Sequence, residues 1–591
     1  MKDSIVITGE GIVSAIGLDK QQTVRALREG RSGIGVMQHL HSSHKELPVG
    51  EVHLSNEEMK RQLGIPAEEM VSRTALMGMI AISQALSDAH LSPLTSDYSP
   101  LKIVLISGTT VGGMDLTELY FDKMLQQHEY IELLLQHEGG KCTERIARHF
   151  GIFSEHTTIS TACSSAANAL ILGANLLKAG QADIVVAGGT EALTRFHLNG
   201  FNSLMILDHE RCRPFDAERA GLNLGEGAAF VVMERESSAR QREAEIHGWL
   251  TGYGNACDAF HQTASSENGE GAYLAMHEAL QSAGLQPSDI DYINAHGTGT
   301  PNNDASESVA LHSVFGAQLP PVSSTKSMTG HTTSASGSIE AVICLLAMRH
   351  GFIPANVGWK SPMPDGIKPS MGVDHCELHH VLCNSFGFGG NDSALVLSAA
   401  PTEATETTEP VAAPIRVAAE VEITSEEQLA AIREYVKPLE ARRMGKIMKS
   451  SLLSSLQALQ QAGIEQPDAI ITATAWGCIE NSEALLVQLM EESEGSIKPT
   501  YFMQSTHNTI GSNIAIRLKC HGYNVTYTHG RQSLEWALRD ARLLLEQGKA
   551  KSVLVGWHDE TTPSFREIMG LLGVHDLPVI YSKAIVLTCG E

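Results

Sequence analysis

No stretch of this sequence approaches the roughly 18 consecutive apolar residues that a membrane-spanning helix requires. The beginning, MKDSIVITGEG, lacks the long apolar core and cleavage site of a secretory signal, so the expected compartment is the cytoplasm. Positive charge is scarce. Lys and Arg number 43 against 68 Asp and Glu, a formal net charge of −25, which argues against nucleic acid or an anionic membrane surface as a partner. The ten cysteines include no CxxC pair and no metal-ligand spacing. They read as reduced thiols, and neither a metal nor a bound cofactor is expected.

The length of 591 residues is too great for one ordinary core, so two or more domains are expected. A hydrophobic content of 42% and 53 glycines suit a globular α/β protein. Strand-like runs at Ile103–Ile106, Ile184–Ala187, Ala229–Met233 and Ala394–Leu397 alternate with helical apolar spacing over Ala75–Ala89 and Ser165–Lys178. That alternation predicts an α/β fold with buried sheets. The segment 401–414, rich in Thr, Glu, Ala and Pro with valine as its one larger apolar residue, reads as an extended linker.

The chemistry centres on Cys163, in TACSSA between a predicted strand and a predicted helix. A thiol at a helix start is biased toward thiolate, because the dipole and free N–H groups favour an anion. Two histidines follow in Gly-rich loops, His296 in HGTGTP and His331 in KSMTGHTTSASG. One thiol and two imidazoles suit an acyl transfer that forms a carbon–carbon bond: a nucleophile to hold the acyl group and neutral N–H donors to stabilise an enolate.

Over about residues 1 to 400 the sequence resembles the β-ketoacyl-acyl-carrier-protein synthase family, in its elongating, type II form. Seven motifs occur in the family's order: VITGEGIVSAIG from Val6, SGTTVGG from Ser107, TACSSA around Cys163, RPFDAERAGLNLGEGA from Arg213, HGTGTPNND from His296, KSMTGH from Lys326 and NSFGFGG from Asn384. The resemblance implies a thiolase-like, five-layered αβαβα fold of two related halves, about 1–245 and 246–400, paired into a homodimer. It implies decarboxylative condensation of a Cys163-bound acyl group with malonyl carried on the phosphopantetheine arm of an acyl carrier protein, in fatty-acid or polyketide assembly. His296 and His331 would be catalytic, Lys326 and Glu340 would set the state of the second histidine, and the backbone N–H groups of Cys163 and Phe388 would form the oxyanion hole. Thr298 and Thr300 would bond the phosphopantetheine arm, Phe388 would gate the acyl tunnel and Val111 would stand at its wall. An acidic carrier protein needs a local basic patch, and Arg211, Arg213, Lys60 and Arg61 are candidates.

Two loops depart from the family pattern, Ser334-Ala-Ser-Gly337 and Asn391-Asp392. They put polar groups beside the site and point away from housekeeping elongation toward a specialised pathway, aryl-polyene-like assembly among them. The competing readings are a non-catalytic ketosynthase-like partner, which Cys163 opposes, and a thiolase acting on coenzyme A esters, for which Cys383 would be the second cysteine.

Residues 415–591 read as a degenerate copy of the first half. Thr109–Gly112 resembles Thr474–Gly477, and Gln84–Leu91 resembles Gln457–Ile464. Ala174–Gly180 and Asp183–Gly188 align with Arg542–Gly548 and Lys551–Gly556 at one offset, 368, which places Arg531 opposite Cys163. This third, partial thiolase-like half has no nucleophile. It is expected to pack on the catalytic region or to bind another protein of the same pathway.

Overall fold

In the computed structural model the described residues are 3–91, 101–402, 414–491, 494–495 and 497–590. All but three residues of the expected 401–414 linker lie outside them. Apolar, β-branched runs, most of them buried on both faces and with Ile415–Ile423 as a largely exposed edge, form a 15-stranded sheet system built from three copies of one five-stranded unit. The first unit is β1 (Ile5–Ser14), β2 (Ile103–Gly108), β3 (Glu155–Ile159), β4 (Ile184–Glu191) and β5 (Gly227–Arg235). The second is β6 (Gly248–Cys257), β7 (Tyr292–Asn294), β8 (Val322–Ser323), β9 (His380–Gly387) and β10 (Asn391–Ser398). The third, in the tail, is β11 (Ile415–Ile423), β12 (Ala469–Ala473), β13 (Tyr523–Tyr527), β14 (Ser552–Glu560) and β15 (Ile580–Cys589). Within each unit the spatial order is third, second, fourth, fifth, first. The first three of that order run parallel and the last two join antiparallel.

The first two units meet where β1 pairs with β6, Val6 opposite Trp249. Between their sheets lie helices α1 (Ser165–Lys178) and α2 (Ser336–His350), buried along nearly their whole lengths. Such all-round burial explains why their sequences are apolar or small on every face. Helix Arg73–Asp88, started by its Ser72 cap, covers the outer face of the first sheet, and Glu270–Ala283 covers the second. Helix, sheet, helix pair, sheet, helix is the five-layered thiolase-like architecture. The tail repeats the first half of it, with α3 (Ser533–Glu546) in the place of α1.

The repeat is exact in register. Adding 368 to the bounds of β3, α1 and helix Arg195–Ser203 gives the bounds of β13, α3 and helix Pro563–Leu571. The tail joins the first half through these equivalent strands, Tyr527 opposite Ile159. The flanking bonds are reciprocal: Ser160 N–H donates to the Thr526 carbonyl at 2.9 Å, and Thr528 N–H to that of Thr158 at 3.0 Å. Ile159 thus meets its own counterpart and its neighbours bond reciprocally around it, the pattern of an isologous two-fold contact, here inside one chain.

Side chains lock this junction. Arg539 reaches Glu155 at 2.7 Å and Gln181 at 2.6 Å. Glu494 accepts from Ser42 Oγ at 2.7 Å, from the Ser43 N–H at 2.6 Å and from Arg195. Burial pushes the Glu494 carboxyl up, but these donors outweigh it and hold the group at about 2. A carboxyl held below its unfolded value of about 4.3 stabilises the fold above that pH and loses the contribution as pH falls toward 2. Glu494→Gln is therefore expected to cost about 2 kcal/mol at neutral pH and to flatten the decline in stability between about pH 5 and pH 3. Denaturant unfolding of both proteins at several pH values checks this; parallel declines would exclude Glu494 as the titrating group.

Candidate active site

Strand β3 delivers the chain to a sharp elbow. Ala162 sits at φ +50°, a left-handed conformation that costs a non-glycine residue of order 1 kcal/mol. Side chains hold it there: the Thr161 N–H donates to Ser165 Oγ at 2.9 Å, and Ser165 Oγ donates to the Ala162 carbonyl at 2.6 Å. The turn Ala162–Ser164 then runs into α1, with the Cys163 thiol at its start. The second half makes the same elbow at Thr333 (φ +43°) and the tail at Gly530 (φ +55°), so Cys163, Ser334 and Arg531 occupy equivalent positions.

The two histidines come from the facing half. His331 Nε2 lies 3.0 Å from Cys163 Sγ, and its Nδ1 lies 3.1 Å from Ser336 Oγ. Ser336 belongs to one of the loops that depart from the family pattern, and its hydroxyl orients the ring. Glu307 grips the other loop, accepting the N–H groups of His296 at 2.8 Å and Gly297 at 2.7 Å. The two imidazoles stand edge to face with centroids 5.3 Å apart. Each of Cys163, His296 and His331 has a donor atom within 4.8 Å of the others. The buried Lys326 ammonium, paired with Glu340, acts on all three and counts against a metal cation among them.

Burial, then Lys326, pushes both imidazoles well below their ordinary value, so each is neutral at physiological pH. Burial pushes Glu340 up to about 7 against the pull of Lys326. Cys163 departs from the expected thiolate. Burial raises its thiol to about 12, while Lys326 and the Phe388 N–H pull it down by less. Desolvation outweighs the cationic and N–H influences and opposes the bias toward thiolate.

Phe388 follows β9 in a tight turn, its N–H directed at the Cys163 sulfur and its ring stacked on Phe201 at 5.5 Å. Val111 is buried in the same apolar cluster, to which the tail contributes Leu485, Leu486, Leu489 and Phe502. The tail also grips the Phe388 loop. Asn508 Nδ2 donates to the Phe388 carbonyl and to Asn391 Oδ1, each at 2.7 Å, and Asn391 Nδ2 donates to the Asn524 carbonyl at 2.9 Å. Gly389, at φ +82°, abuts Ser512 so closely that a Cβ would not fit. Asp392, the other departing residue, is buried and pushed well above its ordinary value by burial and then by Asp258.

Thr298 and Thr300 share a hydrogen bond of 2.9 Å at the start of helix Pro301–Phe315. Arg213 is bound into its own loop, donating to the Glu218 carbonyl at 2.8 Å, and leaves Arg211 as the exposed cation of the pair. Lys60 and Arg61 lie on helix Asn56–Leu63, where Lys60 donates to the Ala67 carbonyl at 3.0 Å. Cys383 and Cys344 are free thiols that share a hydrogen bond in the core. Its neighbour Asn384 reaches Glu307 on the opposite face of β9, so Cys383 is turned away from the site. That placement removes the second cysteine a thiolase would need. The sequence reading gave Ser336 no role of its own and missed Glu307, Asn508 and Phe502. The first two stand beside recognisable motifs, whereas nothing local marks the last two.

Residues 2–239 match the family Beta-ketoacyl synthase, N-terminal domain, and residues 247–360 match Beta-ketoacyl synthase, C-terminal domain. Residues 417–571 match a Beta-ketoacyl synthase, N-terminal domain family again. A relative in Staphylococcus aureus (strain N315), 3-oxoacyl-(acyl-carrier-protein) synthase 2, is 31% identical over 418 residues, covering 66% of this chain and 97% of the relative. The protein of that name in Synechocystis sp. (strain ATCC 27184 / PCC 6803 / Kazusa) is 32% identical over 421 residues, 67% of this chain and 97% of its own length. Among solved structures, the ishigamide ketosynthase/chain length factor covers 68% of this chain and 100% of its own at 31% identity and a TM-score of 0.63. The PfaC keto synthase-chain length factor is similar over 99% of this chain and 78% of its own, with a TM-score of 0.78 at 18% identity, a likeness of fold. The chain belongs to the β-ketoacyl-acyl-carrier-protein synthase family and is an acyltransferase that forms carbon–carbon bonds.

Proposed function

We propose that residues 1–400 carry out the condensation on Cys163, with acyl and malonyl groups delivered on carrier-protein phosphopantetheine, and that residues 415–591 act as a built-in, catalytically silent partner half. The carrying observation is the 3.0 Å approach of His331 Nε2 to Cys163 Sγ with the His296 ring beside it. Cys163 attacks the acyl thioester. The new carbon–sulfur bond replaces the one to phosphopantetheine, and the thiol proton leaves with the departing thiol. The N–H groups of Cys163 and Phe388 receive the oxyanion.

In the second stage the malonyl carbon–carboxylate bond breaks and its electron pair passes into an enolate. In the proposed tautomer the Ser336 hydroxyl, 3.1 Å from His331 Nδ1, donates to that nitrogen, so the ring's proton sits on Nε2, and His296 supplies a second N–H. The carboxylate departs as carbon dioxide, the enolate carbon attacks the acyl-cysteine to form the new carbon–carbon bond, and the carbon–sulfur bond breaks to release Cys163 as a thiolate that takes a proton from solvent. Thr298 and Thr300 lie at the loop that would receive the phosphopantetheine arm, and Lys326 with Glu340 holds the electrostatics around His331. The exposed Arg211, with Lys60 and Arg61, is the basic surface for the carrier protein; Arg213 supports its own loop. The proposed setting is cytoplasmic fatty-acid or polyketide assembly.

Replacing His296 or His331 by alanine is expected to cut condensation by a hundredfold or more, on the order seen when an oxyanion donor is lost. Acylation of Cys163 should fall much less. Intact-mass acylation and product formation, measured side by side, separate the half-reactions; equal losses in both would sink this division of labour.

The partner-half reading rests on the isologous β3–β13 junction. It also rests on solved neighbours whose names pair a ketosynthase with a chain length factor, including ApeO in complex with ApeC from Xenorhabdus doucetiae. The tail then takes, within one chain, the place that a second copy takes in a homodimer. Its Leu486 and Phe502, in the cluster with Val111 and Phe388, are placed to bound the acyl chain.

A further inference from the structure

The elbow of the tail opens into a cavity of about 710 Å³. It is the counterpart of the Cys163 chamber. Arg531 replaces the thiol, Trp476 stands where Val111 stands, and Asp559 replaces Glu191. The anchoring is preserved: Thr109 Oγ1 donates to Glu191 at 2.8 Å, and Thr474 Oγ1 to Asp559 at 2.7 Å. In the catalytic region the loops of His296, His331 and Phe388 close the chamber. The chamber of the tail is bounded instead by Leu135 and Glu138 of the first half.

Most of the charge lining this cavity is already engaged. Lys141 pairs with Glu144 at 2.7 Å. The Asp559 carboxylate takes the Trp557 indole N–H at 2.5 Å and the N–H groups of Ala475 and Trp476 at 2.9 Å. Two groups remain. Arg531, beside the start of the 14-residue helix α3, has no hydrogen bond or ion pair with another described residue. Glu138 is only 8% exposed, faces the cavity, and its carboxyl makes no hydrogen bond or ion pair with a described residue. A buried carboxyl without a partner is costly unless it keeps its proton, and burial pushes Glu138 up to about 8. At neutral pH the cavity therefore offers one guanidinium and one O–H donor beside an apolar wall that includes Trp476, Trp557, Met569 and Leu577.

We infer that the cavity around Arg531 is a second binding site, separate from Cys163, for a carboxylate carried on an apolar chain or ring. The guanidinium fork matches a carboxylate bidentately, Glu138 donates to it, and the helix start adds a favourable dipole. A phosphate, with about two charges, would face Glu144 and Asp559 with one unengaged cation to neutralise it. The acyl-carrying reaction is not needed for this inference.

The test uses the full chain with Cys163 alkylated, so that the acyl site is blocked. Tryptophan fluorescence reports binding, since two of the five tryptophans line the cavity. Decanoate is expected to quench and to bind at least tenfold more tightly than decanol or decyl phosphate. Arg531→Gln should erase that preference, Glu138→Ala should weaken decanoate severalfold, and Trp557→Phe should lose most of the quench. Arg531 is exposed, so its replacement leaves the fold intact, and unchanged condensing activity of the unalkylated variant confirms it. Equal binding of decanoate and decanol, a preference that survives Arg531→Gln, or tighter binding of decyl phosphate would each overturn the inference.

Discussion

Replacing Cys163 by alanine is expected to abolish covalent acylation and to reduce condensation by at least about 10⁴-fold, the scale on which loss of a nucleophile acts. Cys383→Ala should leave both half-reactions within about twofold. The contrast follows from placement rather than residue type. Cys163 is held at a strained elbow, 3.0 Å from an imidazole and beneath the Phe388 N–H, whereas Cys383 pairs with Cys344 in the core. The fold should tolerate either change, because each removes one sulfur from a site whose backbone is fixed by other bonds. Intact mass after incubation with acyl-carrier protein is the decisive measurement. An acyl adduct on the Cys163→Ala protein would show that the nucleophile lies elsewhere.

The second large effect is expected on severing the tail within residues 401–414. The cut uncovers the edge of β3, whose hydrogen-bonding groups now meet β13, and the apolar surface under Phe502 and Leu486. An unpaired edge beside an apolar patch invites association, so residues 1–402 should aggregate or pair with another copy. Catalysis should suffer too. Without Asn508 the Phe388 carbonyl and Asn391 lose their shared donor, and Phe388 supplies the N–H that faces Cys163. Acylation is expected to slow at least tenfold, in line with a misplaced oxyanion donor. Asn508→Ala in the intact chain should reproduce part of the kinetic loss without the aggregation. A monodisperse, fully active monomer of residues 1–402 would refute both the packing and the positioning role.

Much of this was legible in sequence, for physical reasons that differ by element. The strands at Ile103, Ile184 and Ala229 are buried on both faces and so read as continuous apolar runs. The elbow motif around Cys163 and the constant offset of 368 were visible because short-range geometry repeats wherever the same turn is built. Asn508 was not legible, since its partner Phe388 lies 120 residues away and one asparagine carries no pattern. The bias toward thiolate was read from a helix start, which is local, whereas the desolvation that opposes it and pushes Cys163 up to about 12 is supplied by both halves at once. Arg213 read equally as a docking cation or a structural partner, and its bond to the Glu218 carbonyl favours the second. Ser334 and Ser336 read only as departures, and the structure places one at the second elbow and the other on His331.

The junction between β3 and β13 is made by two segments of one polypeptide, which frees it from mass action. Two separate subunits pair only as far as their concentration allows, whereas tethered segments meet at an effective concentration that reaches millimolar for short flexible linkers. Dilution therefore should not dissociate the silent half, and specific activity should stay constant at concentrations where a two-chain assembly would fall apart. The proportion of catalytic region to silent half is likewise set at synthesis, one of each per chain, with no route to an exchange of partners.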